Sequence, residues 1–187
     1  MNYEAVVIGV SMGGLSALKR ILGPLPASFP LPIIVVQHIG ATSDSLWVSM
    51  LNNMTALTVK EAEEKELALP GYVYVAPANY HLLIEKNRTF SLSADAKVNY
   101  ARPSVDVLFD SAADAFRHQL IGIVLTGANH DGAQGLKNIQ DCGGLPVVQD
   151  PETAEAATMP KYAIEATKTT HVLSIEKIVD LLIQLSL

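Results

Sequence analysis

Ala5-Val6-Val7-Ile8-Gly9-Val10-Ser11-Met12-Gly13-Gly14 is the stretch on which the reading of this chain turns. Ala5 to Ile8 is an unbroken apolar run, the pattern of a strand buried on both faces. Leu15 to Leu22 then sets Leu15, Leu18, Ile21 and Leu22 on one side of an amphipathic helix. Ser11 therefore stands on a tight strand-to-helix turn with glycine on both sides, in the pattern G-x-S-x-G. Such a turn exposes a hydroxyl and lets a substrate approach the backbone. It also aims the first helical N–H groups at the place where an oxyanion would form. The same geometry suits a phosphate, with Ser11 as a helix cap. Taken alone, the turn leaves both uses open.

Outward from this turn, strands and helices alternate. Pro24 and Pro26 stop the first helix. Ile33-Ile34-Val35-Val36 reads as a second buried strand that delivers Gln37 and His38 at its C-terminal end. Thr42 or Ser43 is placed to cap a helix reaching about Asn53. From Thr55 to Ser93 the texture changes. Leu57 to Lys60 and Tyr72 to Val75 are short strands, and the charges between Glu61 and Glu66 read as a solvated turn. His81 to Glu85 and Thr89 to Leu92 flank Lys86-Asn87-Arg88 as a hairpin, expected to extend the sheet antiparallel. Ser104 is a candidate N-cap for a long helix, with Asp106 in its first turn and Val105, Leu108, Phe109, Ala112, Ala113 and Phe116 on its apolar face. Leu120 to Leu125 is the next buried strand, leading to Thr126-Gly127-Ala128-Asn129-His130-Asp131-Gly132. A helix to about Gln140, a strand at Leu145 to Val148, a helix from Met159, a strand at His171 to Leu173 and a helix from Ile175 to Leu185 complete the chain. The expectation is one α/β domain over residues 1–187: a three-layer sandwich with a mainly parallel sheet, an antiparallel hairpin extension and helices on both faces.

Composition narrows the function. The 187 residues are 49% hydrophobic and 17% charged, with a formal charge of −6. No basic stripe is present, which argues against nucleic acid as a partner. The single cysteine, Cys142, excludes an internal disulfide and a cysteine-rich metal site. It reads as a small, half-buried residue near a helix end. No signal sequence opens the chain and no apolar run could span a bilayer, so a cytoplasmic protein without membrane insertion is expected.

Three strand ends carry chemistry. Ser11, His38 and Asp131 would supply a nucleophile, a base and an acid to orient the base, the parts needed for acyl transfer. Their order, Ser-His-Asp, is not the Ser-Asp/Glu-His order of α/β-hydrolases. Spacing alone does not force the three together. A dinucleotide site would want G-x-G-x-x-G and an acid near the end of the second strand, where this chain has Gln37-His38. Asp131 could instead cap the following helix, and His130 is a rival base beside it. His81, His118 and His171 read as structural or exposed, and Met159 as core. Arg102 suits either a substrate carboxylate or an acid inside the fold.

The chain also resembles the catalytic domain of the chemotaxis protein-glutamate methylesterases, the CheB family. The resemblance rests on collinear motifs from about Ala5 to Leu182. They are Ile8 to Gly14, Val36-Gln37-His38, Val59 to Ala62, Leu69-Pro70-Gly71 with Tyr74 to Pro77, Arg102 to Phe109, Leu125-Thr126-Gly127 with Asp131-Gly132-Ala133, and Met159-Pro160. It implies hydrolysis of glutamate γ-methyl esters on the cytoplasmic helices of methyl-accepting receptors, and often deamidation of receptor glutamines. Ser11, His38 and Asp131 fall on the family's nucleophile, base and acid. The N–H groups of Met12, Gly13 or Ala128 would hold the oxyanion, Arg102 is a candidate substrate contact, and no metal or organic cofactor is implied. Family members usually carry a receiver domain ahead of this one. A chain starting here is expected to answer to a separate regulatory partner or to be constitutive. The family's T-G-M-G-x-D-G loop is changed: Ala128 stands for methionine and Asn129 for a glycine. Met12 replaces a common threonine, and Ala101 a frequent histidine. The Ala128 and Asn129 changes motivate the rival reading, a binding module that keeps the fold and cleft to hold a receptor helix, a nucleotide or a signalling partner.

Overall fold

The computed structural model describes residues 3–40 and 45–186. In chain order its strands are β1 (Ala5–Val10), β2 (Ile33–Gln37), β3 (Thr58–Glu61), β4 (Tyr72–Val75), β5 (His81–Ile84), β6 (Phe90–Ser93), β7 (Leu120–Val124), β8 (Leu145–Gln149) and β9 (Val172–Leu173). Its helices are α1 (Gly14–Leu22), α2 (Leu46–Asn52), α3 (Val105–Phe116), α4 (Ala133–Asp141), α5 (Thr158–Thr167) and α6 (Ile175–Leu185). Seven strands make one sheet in the order β3-β4-β2-β1-β7-β8-β9, parallel at every pairing. The expected caps at Thr42 and Ser43 lie outside the described residues.

The sheet is parallel because helices cross over both of its faces, and the apolar runs follow from that. Every residue of β1 is buried. Val6, Ile8 and Val10 join Ile33 and Val35 in a core shared with Leu18, Ile21 and Leu22 of α1 and with Ile178 and Leu182 of α6. Ala5 and Val7 point the other way, with Ile34 and Val36, into a core built on Leu108 and Phe109 of α3, Leu136 and Ile139 of α4, and Ala163 of α5. The strict alternation along β1 is the period of two that a pleated strand imposes. Each fully buried Leu, Ile or Phe in these layers stabilises the fold by roughly 1.5–3 kcal/mol. Val105, Leu108, Phe109, Ala112, Ala113 and Phe116 are the buried face of α3, as the apolar spacing predicts.

The hairpin departs from expectation. Strands β5 and β6 pair antiparallel with each other and form a separate two-stranded sheet. They lie over the α3 side of the molecule: Leu82, Ile84 and Phe90 enter the core with Tyr74 and Phe109, and the Ile84 N–H donates to Ser111 Oγ at 3.1 Å. Their apolar side chains can reach that core only from the face of the main sheet, so the hairpin covers a layer instead of lengthening an edge. The charged run before it is bonded to the hairpin, with Lys65 N–H donating to the Phe90 carbonyl at 2.8 Å and Phe90 N–H to that of Glu66 at 2.9 Å.

Strand order reverses between two neighbours. From β1 the chain passes through α1 to β2 on one side, whereas from β7 it passes through α4 to β8 on the other. In an open parallel sheet such a switch point leaves a crevice beyond the C-terminal strand ends. Ser11 follows β1, and the loop from Thr126 to Gly132 follows β7. No helix among the described residues is long and apolar enough to cross a membrane.

Candidate active site

Ser11 leaves β1 with its backbone clamped. Its N–H donates to the Thr126 carbonyl at 3.0 Å, and its own carbonyl accepts from Gly14 N–H at 2.9 Å and from Gln37 Nε2 at 2.9 Å. The residue capping α1 is Gly13, in the left-handed region at φ 77°, so Ser11 does not cap this helix. Its hydroxyl makes no hydrogen bond to a described residue. At Gly127 a side chain is excluded by crowding: a Cβ there would come within 1.9 Å of Met159 Sδ and 3.0 Å of Ser11 Cβ. Bare backbone thus runs right beside the serine.

His38 follows β2 and is held to the same frame. Val10 pairs with Gln37 in the β1–β2 register, and His38 N–H donates to the Val10 carbonyl at 3.1 Å. Ser11 and His38 therefore come directly after partnered residues on adjacent strands, which run about 4.8 Å apart. Gln37 ties the two together, since its Nε2 also donates to the His38 carbonyl at 3.0 Å.

Asp131 is buried, and five donors converge on its carboxylate. Oδ2 accepts from His38 Nε2 at 2.7 Å and Val105 N–H at 2.6 Å; Oδ1 accepts from Asn99 Nδ2 at 2.8 Å, Ser104 Oγ at 2.8 Å and Asp106 N–H at 3.1 Å. Burial alone would raise this carboxyl, but the bonds from His38, Asn99 and the Val105 and Asp106 N–H groups outweigh it and hold the group below the ordinary carboxylate value. Asp131 thus caps a helix, but α3 and not the α4 that follows it in sequence. Ser104 sits at the N-cap position of α3, yet its side chain gives α3 no cap bond. Asp106 returns the service: its Oδ1 accepts the N–H groups of Gly132 at 3.0 Å and Gly135 at 2.7 Å at the start of α4. Burial pushes Asp106 above the ordinary carboxylate value, and the Asp131 charge adds to this against the bonds from Gly135 and Asn99. Asn99 bridges the pair, with Nδ2 also 2.7 Å from Asp106 Oδ2.

The ring of His38 is bonded at both nitrogens. Nε2 faces Asp131, and Nδ1 lies 3.0 Å from Asn129 Nδ2. Because the carboxylate only accepts, the proton belongs on Nε2 and the free lone pair on Nδ1. In chymotrypsin-type triads the acid takes Nδ1 and the base is Nε2; here the carboxylate lies at Nε2 and the lone pair is on Nδ1.

Ser11, His38 and Asn129 line one cavity of about 440 Å³ together with Lys97, Tyr100 and Arg102. A second cavity of about 630 Å³ opens on the other side of Ser11, against Gly13, Trp47 and Glu155. A larger one, about 730 Å³, lies away from this chemistry against Tyr3, Pro32 and Phe116. The N–H groups of Met12, Gly13 and Ala128 make no hydrogen bond to a described residue, and the Met12 side chain is exposed. Arg102 lines the cavity, but its guanidinium donates to Asn79 Oδ1 at 2.7 Å and to the Ala94 and Asp95 carbonyls at 2.8 Å. His130 is exposed and meets Tyr162 edge-on, 5.9 Å between ring centres. His81 is buried, with Nδ1 accepting from Ser104 N–H at 3.2 Å and Nε2 3.0 Å from the Ala96 carbonyl. Met159 is core and Cys142 half-buried. Among the described residues no three His, Cys, Asp or Glu side chains converge as metal ligands.

A family model described as CheB methylesterase matches residues 6–182. The chain belongs to the CheB methylesterase family. A Leptospira interrogans protein, provisionally named a protein-glutamate methylesterase/protein-glutamine glutaminase, is 60% identical over 185 residues, covering 99% of this chain and 96% of that one. The Thermotoga maritima protein-glutamate methylesterase/protein-glutamine glutaminase is 39% identical over 99% of this chain, which spans 55% of that protein. The crystal structure of the Thermotoga maritima CheB methylesterase catalytic domain superposes with a TM-score of 0.93 at 38% identity, covering 99% of this chain and all of the other. Within this CheB domain, Asn129 does not use the backbone freedom that a glycine would bring, since it is not among the residues with positive φ. Asn99 is, at φ 51°. The pattern of the sequence did not single out Asn99: it lies in a loop 32 positions from Asp131, and only the fold brings it there.

Proposed function

We propose that this protein is a serine hydrolase that removes methyl groups from glutamate γ-methyl esters on the cytoplasmic helices of methyl-accepting receptors. The observation that carries this reading is His38, held by Asp131 in a single tautomer, next to Ser11 at the strand switch point. Ser11 Oγ bonds to the ester carbonyl carbon while its proton passes to His38 Nδ1. Negative charge moves onto the carbonyl oxygen, where the Met12, Gly13 and Ala128 N–H groups stabilise it; one such donor is typically worth about 10²–10³ in rate. The carbon–methoxy bond then breaks, and the Nδ1 proton leaves with it as methanol. Water next gives a proton to Nδ1 and its oxygen to the acyl carbon, the Ser11 ester bond breaks, and Ser11 recovers its proton. Asp131 stabilises the imidazolium in both halves. A glutamine side chain would follow the same route with ammonia leaving. Arg102, Lys97 and the exposed Met12 and Tyr100 around the crevice supply local contacts that an acidic chain needs to meet an acidic receptor helix.

The test is methanol release from methylated receptor. Ser11→Ala should lower it by at least about 10³-fold. Because Ser11 caps nothing, the stability of that variant should stay within about 0.5 kcal/mol of wild type. Unchanged methanol release would overturn the reading, and a wild-type protein inert toward serine-directed phosphonates would favour the binding-module alternative.

A further inference from the structure

Asn129 makes two hydrogen bonds that settle its amide orientation. Its Oδ1 accepts the Asp131 N–H at 2.9 Å, which leaves Nδ2 facing His38 Nδ1 at 3.0 Å. A donor chain results: Asn129 N–H to Nδ1, and Nε2–H to Asp131. The ring therefore has one lone pair, and Asn129 already occupies it. Ser11, beside it in the same cavity, has no hydrogen bond from its hydroxyl to a described residue. Serine and asparagine compete for a single acceptor.

We propose that Asn129 is a positioning residue for the reaction: its amide holds the His38 lone pair in the resting site and yields it to Ser11 when substrate enters. The proposal rests on the reading of Ser11, His38 and Asp131 given above. Its physical content is an opposed equilibrium. While Asn129 donates to Nδ1 the ring cannot take the serine proton, so the hydroxyl stays a poor nucleophile. Substrate entering the cavity competes for the Asn129 amide, and the Ser11 O–H then takes its place on Nδ1. Asn129 is half-buried and borders the cavity, which gives the side chain room to move.

The experiment compares wild type, Asn129→Ala and Asn129→Asp by the rate at which a small alkyl fluorophosphonate labels Ser11, read by intact mass between pH 5 and 9. Asn129→Ala removes the competing donor. Asn129→Asp keeps an acceptor for the Asp131 N–H, so the turn persists, but sets a carboxylate against Nδ1. On the alkaline plateau Asn129→Ala should label about two- to tenfold faster than wild type, the scale of one neutral hydrogen bond. The midpoint of the acid limb should rise in the order wild type, alanine, aspartate, by about one pH unit or more for aspartate. An unchanged plateau with unmoved limbs would make Asn129 a turn residue only and overturn the proposal. Slower labelling of Asn129→Ala would also overturn it, because the amide would then be assisting the ring. Absence of labelling in all three proteins, wild type included, would instead overturn the serine-hydrolase reading beneath it.

Discussion

Replacing Asp131 with asparagine changes one charge and almost no volume, yet it should damage the protein in two separable ways. The carboxylate accepts five hydrogen bonds. An asparagine amide offers one acceptor oxygen, and in either orientation its NH2 confronts donors. With the nitrogen at the Oδ2 position, the Val105 N–H at the start of α3 is orphaned, at a cost of about 1–3 kcal/mol, and the bonds on the other side lose their charge. A total near 3 kcal/mol follows, and in a domain of this size about 2–4 °C of Tm goes with each kcal/mol, so Tm should fall by about 6–12 °C. The chemistry suffers by another route. The new NH2 makes His38 Nε2 an acceptor, which moves the ring proton to Nδ1 and removes the lone pair that Ser11 needs. Loss of the correct tautomer should lower kcat by roughly 10³–10⁴ with little change in KM. The pH dependence has a definite sign. Asp131 is held below its ordinary value in the folded protein, so its stabilisation is present above that value and is lost as pH falls through the folded one. The stability gap between wild type and Asp131→Asn should therefore close below about pH 4. Calorimetric melts between pH 3 and 8, paired with methanol-release kinetics, measure both effects. A variant as stable as wild type at pH 7 would refute the capping of α3, and a loss in kcat below tenfold would refute the role in the reaction.

Three further outcomes are expected. Asn99→Gly keeps the left-handed backbone without strain and removes only the bridging amide, so urea unfolding at pH 7 should show a loss of about 1.5–3 kcal/mol. Asp106 lies above its ordinary value, so its folded-state contribution is greatest at low pH and declines as pH rises through the folded value; in Asp106→Asn that decline should vanish from a stability–pH curve. Gly127→Ala forces a Cβ against Met159 Sδ and towards Ser11, and should cost about 1–3 kcal/mol by thermal melt while slowing phosphonate labelling of Ser11.

Much of the frame was legible because burial writes itself into residue choice. Strands β1, β2 and β7 are covered on both faces, and Ala5 to Val10, Ile33 to Val36 and Leu120 to Leu125 are accordingly apolar without a break. The G-x-S-x-G turn and the histidine at the end of the second strand are legible as strand-end chemistry, whereas the switch point that makes their strands neighbours follows from the strand order. The hairpin is legible as an antiparallel hairpin, but whether it extends the sheet or pairs only with itself is not, since period-two alternation tells which side chains face a core and not which core. The bonding around the carboxylates was hidden for a different reason. Ser104 and Asp106 carry ordinary signs of a helix start, and a local reading gives each its own helix. In the fold the capping oxygens are exchanged between α3 and α4, through residues about 25 positions apart. In the sequence Asn129 reads only as a departure from the family loop, whereas its side chain is what meets His38.

The exchange of caps has a consequence for reading relatives of this domain. Asp131 seals the start of α3 whether or not any ester is ever cleaved. A lineage that abandoned the reaction would be free to lose Ser11, and then His38, while folding alone continued to select the aspartate. Its presence in a diverged chain is therefore a mark of ancestry, and on the reading proposed above Ser11 is the residue by which a surviving enzyme should be told from a retired one.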